Sequence, residues 1–186
     1  MTKEEIRKYI KSVIPTDEKI KNESESICKK IIESKAFNDS PLVLSFMSMT
    51  DEVKVEKVNK ACFDCKKTLA LPKIIAGSNL MEYYTINESF KVSKGSFGII
   101  EPEAKKENLI SPQNLPYGTL ILVPGRAFTK DGKRLGRGKG FYDLWLSKIP
   151  LAKKNRVHLA GVCLPQQIVE DIPLDEHDIL MDSLFY

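Results

Sequence analysis

The sequence predicts an α/β domain, a three-layer α/β/α arrangement around a largely parallel central sheet of Rossmann-like type, with residues 1–186 forming a single domain. Two observations carry this reading. Apolar strand-like runs alternate along the chain with segments of helical periodicity. No stretch is rich enough in Pro, Gly or Ser to split the chain, and 186 residues suffice to bury one sizeable core.

Residues 2–14 place Ile6, Ile10 and Val13 on one helical face, and Pro15-Thr16-Asp17 punctuates before a second helix expected to run to about Lys35. PLVLSFMS, residues 41–48, reads as a buried strand. The spacing of Val55, Val58, Ala61, Cys62 and Cys65 predicts a helix near 52–66, followed by strands near 68–74 and 79–86. Residues 94–118 are expected as an irregular excursion. A strand then covers Thr119–Val123, a helix follows Gly140 until Pro150 interrupts it, and a last strand spans Arg156–Leu164. Sheets of this kind bind ligands at the carboxyl ends of their strands, which is where the loop after Val123 stands.

Composition narrows the function. No apolar run approaches the roughly 20 residues of a membrane span, and the charged N-terminus MTKEEIRKYIKSVIP lacks a signal-peptide apolar region, so a cytoplasmic location without a membrane partner is expected. A net charge of +4 is too mild to demand nucleic acid, whereas local clusters of cations suit a polyanionic small molecule. Cys62 and Cys65 form the one C-x-x-C and have no second pair to complete a zinc site. They close a helical pattern and do not follow a strand, which favours packing over redox chemistry. His158 and His177 are too few for a multi-histidine metal site, and His158 falls in a strand-like run where a structural role is the default.

The most informative segment is Arg134–Asp143, RLGRGKGFYD, which holds three cations, three glycines, two aromatics and a carboxylate. Gly136, Gly138 and Gly140 allow positive φ and close approach of backbone N–H groups to an anion, and Arg134, Arg137 and Lys139 add charge. Three charge-assisted hydrogen bonds of about 1.5–3 kcal/mol each compare with the roughly 6–8 kcal/mol of micromolar binding, so the loop alone suffices for a nucleotide phosphate. The helix opening at Gly140 adds backbone donors, and Asp143 in its first turn either meets a Mg²⁺ ion or complements the helix dipole. The spacing fits neither G-x-x-x-x-G-K-[ST] nor G-x-G-x-x-G.

LVPGRAFTKDGKRLGRGKGFYD, together with SFMSMTDEV at 45–53, FGIIEP at 97–102 and PLDEHDILMD at 173–182, resembles the 5-formyltetrahydrofolate cyclo-ligase (5,10-methenyltetrahydrofolate synthetase) family over most of the chain. The resemblance implies ATP- and Mg²⁺-dependent cyclisation of 5-formyltetrahydrofolate to 5,10-methenyltetrahydrofolate. It implies that Lys3, Arg7, Arg134, Gly136, Arg137, Gly138, Lys139, Gly140, Phe141 and Tyr142 meet ATP, with Lys139, Arg134 and Tyr142 catalytic. It further implies that Met47, Glu52, Phe97, Gly138, Lys139, Gly140 and Phe141 meet the folate, and that Asp143 and Asp178 hold Mg²⁺. A monomer with no nucleic-acid or membrane partner is expected.

Four positions depart from the family pattern. Phe141 stands where tyrosine is usual, Phe97 where tryptophan is, Ile100 where proline is, and Arg126 where an apolar residue is, the last adding only positive potential near the loop. Two other readings remain at this stage. Phe141, Tyr142 and Trp145 interleaved with cations suit a nucleic-acid surface, and the phosphate loop alone suits a phosphosugar or nucleotide module.

Overall fold

The computed structural model describes residues 1–87, 93–94, 100–102 and 104–186. In chain order the elements are α1 (Lys3–Val13), α2 (Asp17–Glu33), α3 (Lys35–Asp39), β1 (Leu42–Leu44), α4 (Glu56–Asp64), β2 (Thr68–Ile74) and β3 (Met81–Ile86). There follow β4 (Ser93–Lys94), β5 (Ile100–Glu101), β6 (Leu109–Ile110), β7 (Thr119–Pro124), β8 (Ala127–Phe128), β9 (Arg134–Leu135), α5 (Phe141–Leu146), β10 (Val157–Val162) and β11 (Ser183–Phe185).

Among the described residues one sheet takes seven strands in the order β11-β10-β7-β1-β2-β3-β6. The first five run parallel, while β3 pairs antiparallel with β2 and β6 antiparallel with β3. The period-2 pleat explains why both faces are apolar: Leu120 and Leu122 pack with α2 and α4, whereas Ile121 and Val123 pack with Trp145 and Leu146 of α5. Each face is thus covered by helix, giving the expected α/β layering. Full burial of each such side chain stabilises the fold by about 1.5–3 kcal/mol.

Element bounds depart from the sequence reading where polar local chemistry intervenes. The helix expected from residue 52 starts at Glu56, because residues 49–54 form a turn in which Glu52 Oε2 accepts the Met49 N–H at 3.0 Å and Lys54 Nζ caps the Met49 carbonyl. The second helix stops at Glu33, where the Ser34 hydroxyl accepts the Phe37 N–H at 3.1 Å and starts α3. The helix after Gly140 ends at Leu146, four residues before Pro150, and continues as a turn closed by the Ile149 N–H on the Leu146 carbonyl. The excursion at 94–118 contributes an edge strand, β6, to the main sheet.

Helix α1 matters for the site. A capping box at its start has the Thr2 hydroxyl accepting the Glu5 N–H and the Glu5 carboxylate accepting the Thr2 N–H. Ile6 and Ile10 are fully buried against Ala127, Leu135 and Ile172, so the helix is clamped onto the β8–β9 hairpin.

Candidate active site

The chain reverses its direction of sheet growth between β1 and β7, and the loops leaving their carboxyl ends flank a cavity of about 310 Å³. Phe46, Met49, Pro72, Ile74 and Met81 give it an apolar wall, with Met47 beside them as expected. Facing that wall are Glu52 and the loop from Arg134 to Asp143.

The loop's shape follows from its residues. The Arg126 N–H bonds the Leu135 carbonyl at 2.7 Å and closes the hairpin, which releases the chain at Gly136. Gly138 and Gly140 take φ of 100° and 69°, left-handed angles that only glycine adopts readily, and Gly140 caps α5. Gly136 does not, contrary to expectation; its role is spatial, since a Cβ there would lie 2.8 Å from Arg134 Nη1. Arg7 of α1 donates from Nε to the Gly136 carbonyl at 3.0 Å, tying the first helix to the loop.

The three loop cations have different environments. Arg134 is only 6% exposed; its Nη2 bonds Asp143 Oδ2 at 3.1 Å, and its guanidinium lies 5.4 Å from the Tyr142 ring centroid. Its Nε is buried without a hydrogen-bond partner among the described residues. Arg137 departs from the expectation of an arginine free for phosphate. It bonds Glu52 Oε1 through Nε at 3.1 Å and Nη2 at 2.8 Å, and Asp51 Oδ1 at 2.5 Å. Two acidic groups on the turn after β1 attract it, and a fork of donors matches them. Lys139 is exposed, lines the cavity and the adjoining cleft over residues 74–79, and forms no ion pair among the described residues.

Arg126 has a role that sequence reasoning missed: it pairs with Asp51 Oδ2. Burial acts to raise the Asp51 carboxyl, but the Arg137 hydrogen bond and the charges of Arg137 and Arg126 outweigh it and hold the group below its ordinary value. Burial likewise pushes the Tyr142 hydroxyl well above its ordinary value, so it stays protonated as a donor.

A second polar group lies where α1 meets the C-terminal segment. Lys3 Nζ bonds Asp175 Oδ2 at 2.7 Å and Asp178 Oδ2 at 2.5 Å. Burial opposes ionisation of Asp178, yet the Asp175 backbone N–H, Lys3 and the charge of Arg134 together hold its carboxyl below the ordinary value. Asp143 and Asp178 each use only Oδ2 in the hydrogen bonds that hold them. Among the described residues no group of three or more His, Cys, Asp or Glu side chains is arranged to hold a metal.

The structure therefore brings Met47, Glu52, Arg134, Gly136, Arg137, Lys139, Gly140, Phe141, Tyr142 and Asp143 to one cavity, with Gly138 on the same loop and Arg7 bonded to that loop from α1. Lys3 and Asp178 are paired beside it. Phe97 lies outside the described residues. The wall residues Phe46, Met49, Pro72, Ile74 and Met81 were not foreseen, because apolar residues at strand ends look the same in sequence whether they face a ligand or a core. Trp145 is 1% exposed and packs edge-on against Tyr83 at 4.9 Å, so it has no face for a nucleic-acid base. Burial pushes the Cys62 thiol up to about 12, and His158 Nε2 meets Ser183 Oγ at 2.7 Å; both have the structural roles expected.

The sequence model of the 5-formyltetrahydrofolate cyclo-ligase family matches residues 1–186. A 5-formyltetrahydrofolate cyclo-ligase of Mus musculus is 32% identical over 86% of this chain and 80% of its own. A probable 5-formyltetrahydrofolate cyclo-ligase of Schizosaccharomyces pombe is 34% identical over 90% of this chain and 85% of its own. The solution structure of Aquifex aeolicus 5,10-methenyltetrahydrofolate synthetase superposes with a TM-score of 0.79 at 30% identity, covering 99% of this chain and 89% of that one.

Proposed function

The chain belongs to the 5-formyltetrahydrofolate cyclo-ligase family, a family of ligases, and from that premise we propose that it uses ATP and Mg²⁺ to close 5-formyltetrahydrofolate into 5,10-methenyltetrahydrofolate, releasing ADP and phosphate. One observation carries the reading: Lys139, a cation without an ion pair among the described residues, and a buried acceptor, Glu52, line the same apolar-walled cavity.

Glu52 suits the adjacent ring N–H and exocyclic amine of a pterin, which are paired donors, while Met47 and the apolar wall cover the ring. Phe141 supplies an aromatic face at the junction of folate and nucleotide. Gly138 and Gly140 let backbone N–H groups approach the phosphates, and Arg7 and Lys3 add charge from α1. Lys139 neutralises the transferring phosphoryl group. Asp143 and Asp178 would hold Mg²⁺, which when bound offsets charge on the phosphate oxygens.

The chemistry then balances. The formyl oxygen attacks the γ-phosphorus and ADP departs, turning a poor leaving group into a phosphate ester of an iminium. N10 attacks the formyl carbon, loses its proton, and the carbon–oxygen bond breaks to release phosphate. The protein's task is to hold oxygen, phosphorus and N10 together and to stabilise the charge, which supplies most of the catalysis in phosphoryl transfer. Incubating the protein with 5-formyltetrahydrofolate, ATP and Mg²⁺ is expected to raise methenyl absorbance in the near ultraviolet; no ATP-dependent rise refutes the proposal.

A further inference from the structure

Glu52 has little acceptor capacity left. Its carboxylate is 6% exposed, Oε1 receives two donors from Arg137, and Oε2 receives the Met49 N–H at 3.0 Å. A ligand presenting two N–H donors to Glu52 must therefore displace Arg137. Once displaced, Arg137 carries an uncompensated charge on the loop that also brings Gly136 and Lys139 to the cavity, where an anion is its natural partner. Its departure also strips Asp51 of one cation, but Asp51 Oδ2 remains on Arg126, a residue on the opposite side of the hairpin opening.

We propose that Arg137 is exchanged between Glu52 and a phosphate, so that folate and nucleotide bind with positive coupling, and that Arg126 is a positioning residue which makes the exchange feasible by keeping Asp51 neutralised. This rests on the assignment of Glu52 to folate and of the loop to ATP. The physics is a two-state equilibrium. In the locked state Arg137 sits on Glu52 and Asp51, and in the released state it is available to phosphate. Whichever ligand binds first bears the cost of release and the second does not, which is what positive coupling means.

The two flanking charges act on that equilibrium in opposite senses. Removing the negative charge of Asp51 takes one anchor from Arg137 and favours release. Removing the positive charge of Arg126 leaves Asp51 dependent on Arg137 alone and favours the lock. A loss of general structural integrity would weaken binding in both variants, so the opposite signs distinguish positioning from mere support.

The test is equilibrium binding of 5-formyltetrahydrofolate and of a non-hydrolysable ATP analogue with Mg²⁺ to the full chain, each alone and with the other saturating. For the unaltered protein each ligand is expected to bind about fivefold or more tightly in the presence of the other, the lower end of ordinary coupling. Asp51→Asn is expected to tighten each ligand bound alone and to shrink the coupling. Arg126→Leu is expected to weaken each ligand bound alone and enlarge the coupling, with affinities in the ternary complex held, and Arg126→Lys to restore the original values. Independent binding of the two ligands to the unaltered protein, or a shift of the same sign in both charge-removal variants, overturns the proposal while leaving the ligase reading intact. Failure to bind either ligand overturns both. Should Arg126→Leu not fold, Asp51→Asn decides alone.

Discussion

Arg134 and Asp143, nine positions apart in sequence, meet at 3.1 Å and close a loop whose Gly136 and Gly140 line the cavity. The cation of this pair is almost wholly buried and the carboxylate partly so, with side-chain exposures of 3% and 22%. Arg134→Met should therefore cost about 1–3 kcal/mol of stability, less than a fully buried pair because water still reaches Asp143. Chemical denaturation measures this, and a loss below about 0.5 kcal/mol would place the pair among ordinary surface bridges.

Lys139 is exposed and forms no ion pair among the described residues, so its removal should leave the fold intact. Lys139→Ala is expected to lower kcat by about 10²–10³-fold, the usual loss on deleting one preorganised charge at a transition state. Folate affinity should change by less than roughly threefold. Equal losses in turnover and in folate binding would contradict a role at the phosphoryl group.

Two neighbouring glycines should respond differently to alanine. At Gly140 a Cβ meets nothing within 4 Å, so Gly140→Ala carries only the cost of a left-handed residue, about 1–2 kcal/mol. At Gly136 the added carbon would stand 2.8 Å from Arg134 Nη1 and push the guanidinium off Asp143. Gly136→Ala should therefore lose more activity than Gly140→Ala at comparable stability, as steady-state rates alongside thermal melts would reveal.

The acid and alkaline limbs of stability share one pair, Lys3 with Asp178, while Asp51 acts on the acid limb alone. Asp51 and Asp178 have carboxyls held below the ordinary value of 3.8, so the stability they add is complete above that pH and is lost as pH falls through their lowered folded values. For Lys3 burial alone would lower the value, yet Asp175 and Asp178 outweigh it and raise it above 10.5. Its contribution is complete below 10.5 and fades as pH climbs beyond it. Denaturation midpoints against pH should lose part of their acid slope in Asp51→Asn and part of their alkaline slope in Lys3→Met.

Much of this was legible in the chain itself. The parallel strands could be read because β1 and β7 are buried throughout, and α1 because Ile6 and Ile10 fall on one face. Resemblance to a known family supplied Glu52, Lys139 and Asp178. What could not be read is pairing between distant segments: Arg126 meets Asp51 from 75 residues away and Arg137 meets Glu52 from 85, and no local periodicity encodes either. The apolar wall escaped for a related reason, since Met81 and Ile74 face each other only through the β2–β3 register.

The most direct test of the central claim, that the loop presents a phosphoryl group to the formyl oxygen, is the fate of that oxygen. 5-Formyltetrahydrofolate labelled with ¹⁸O in the formyl group, turned over with unlabelled ATP, should deliver its label to the released inorganic phosphate. Label found in water, with none in phosphate, would contradict the account.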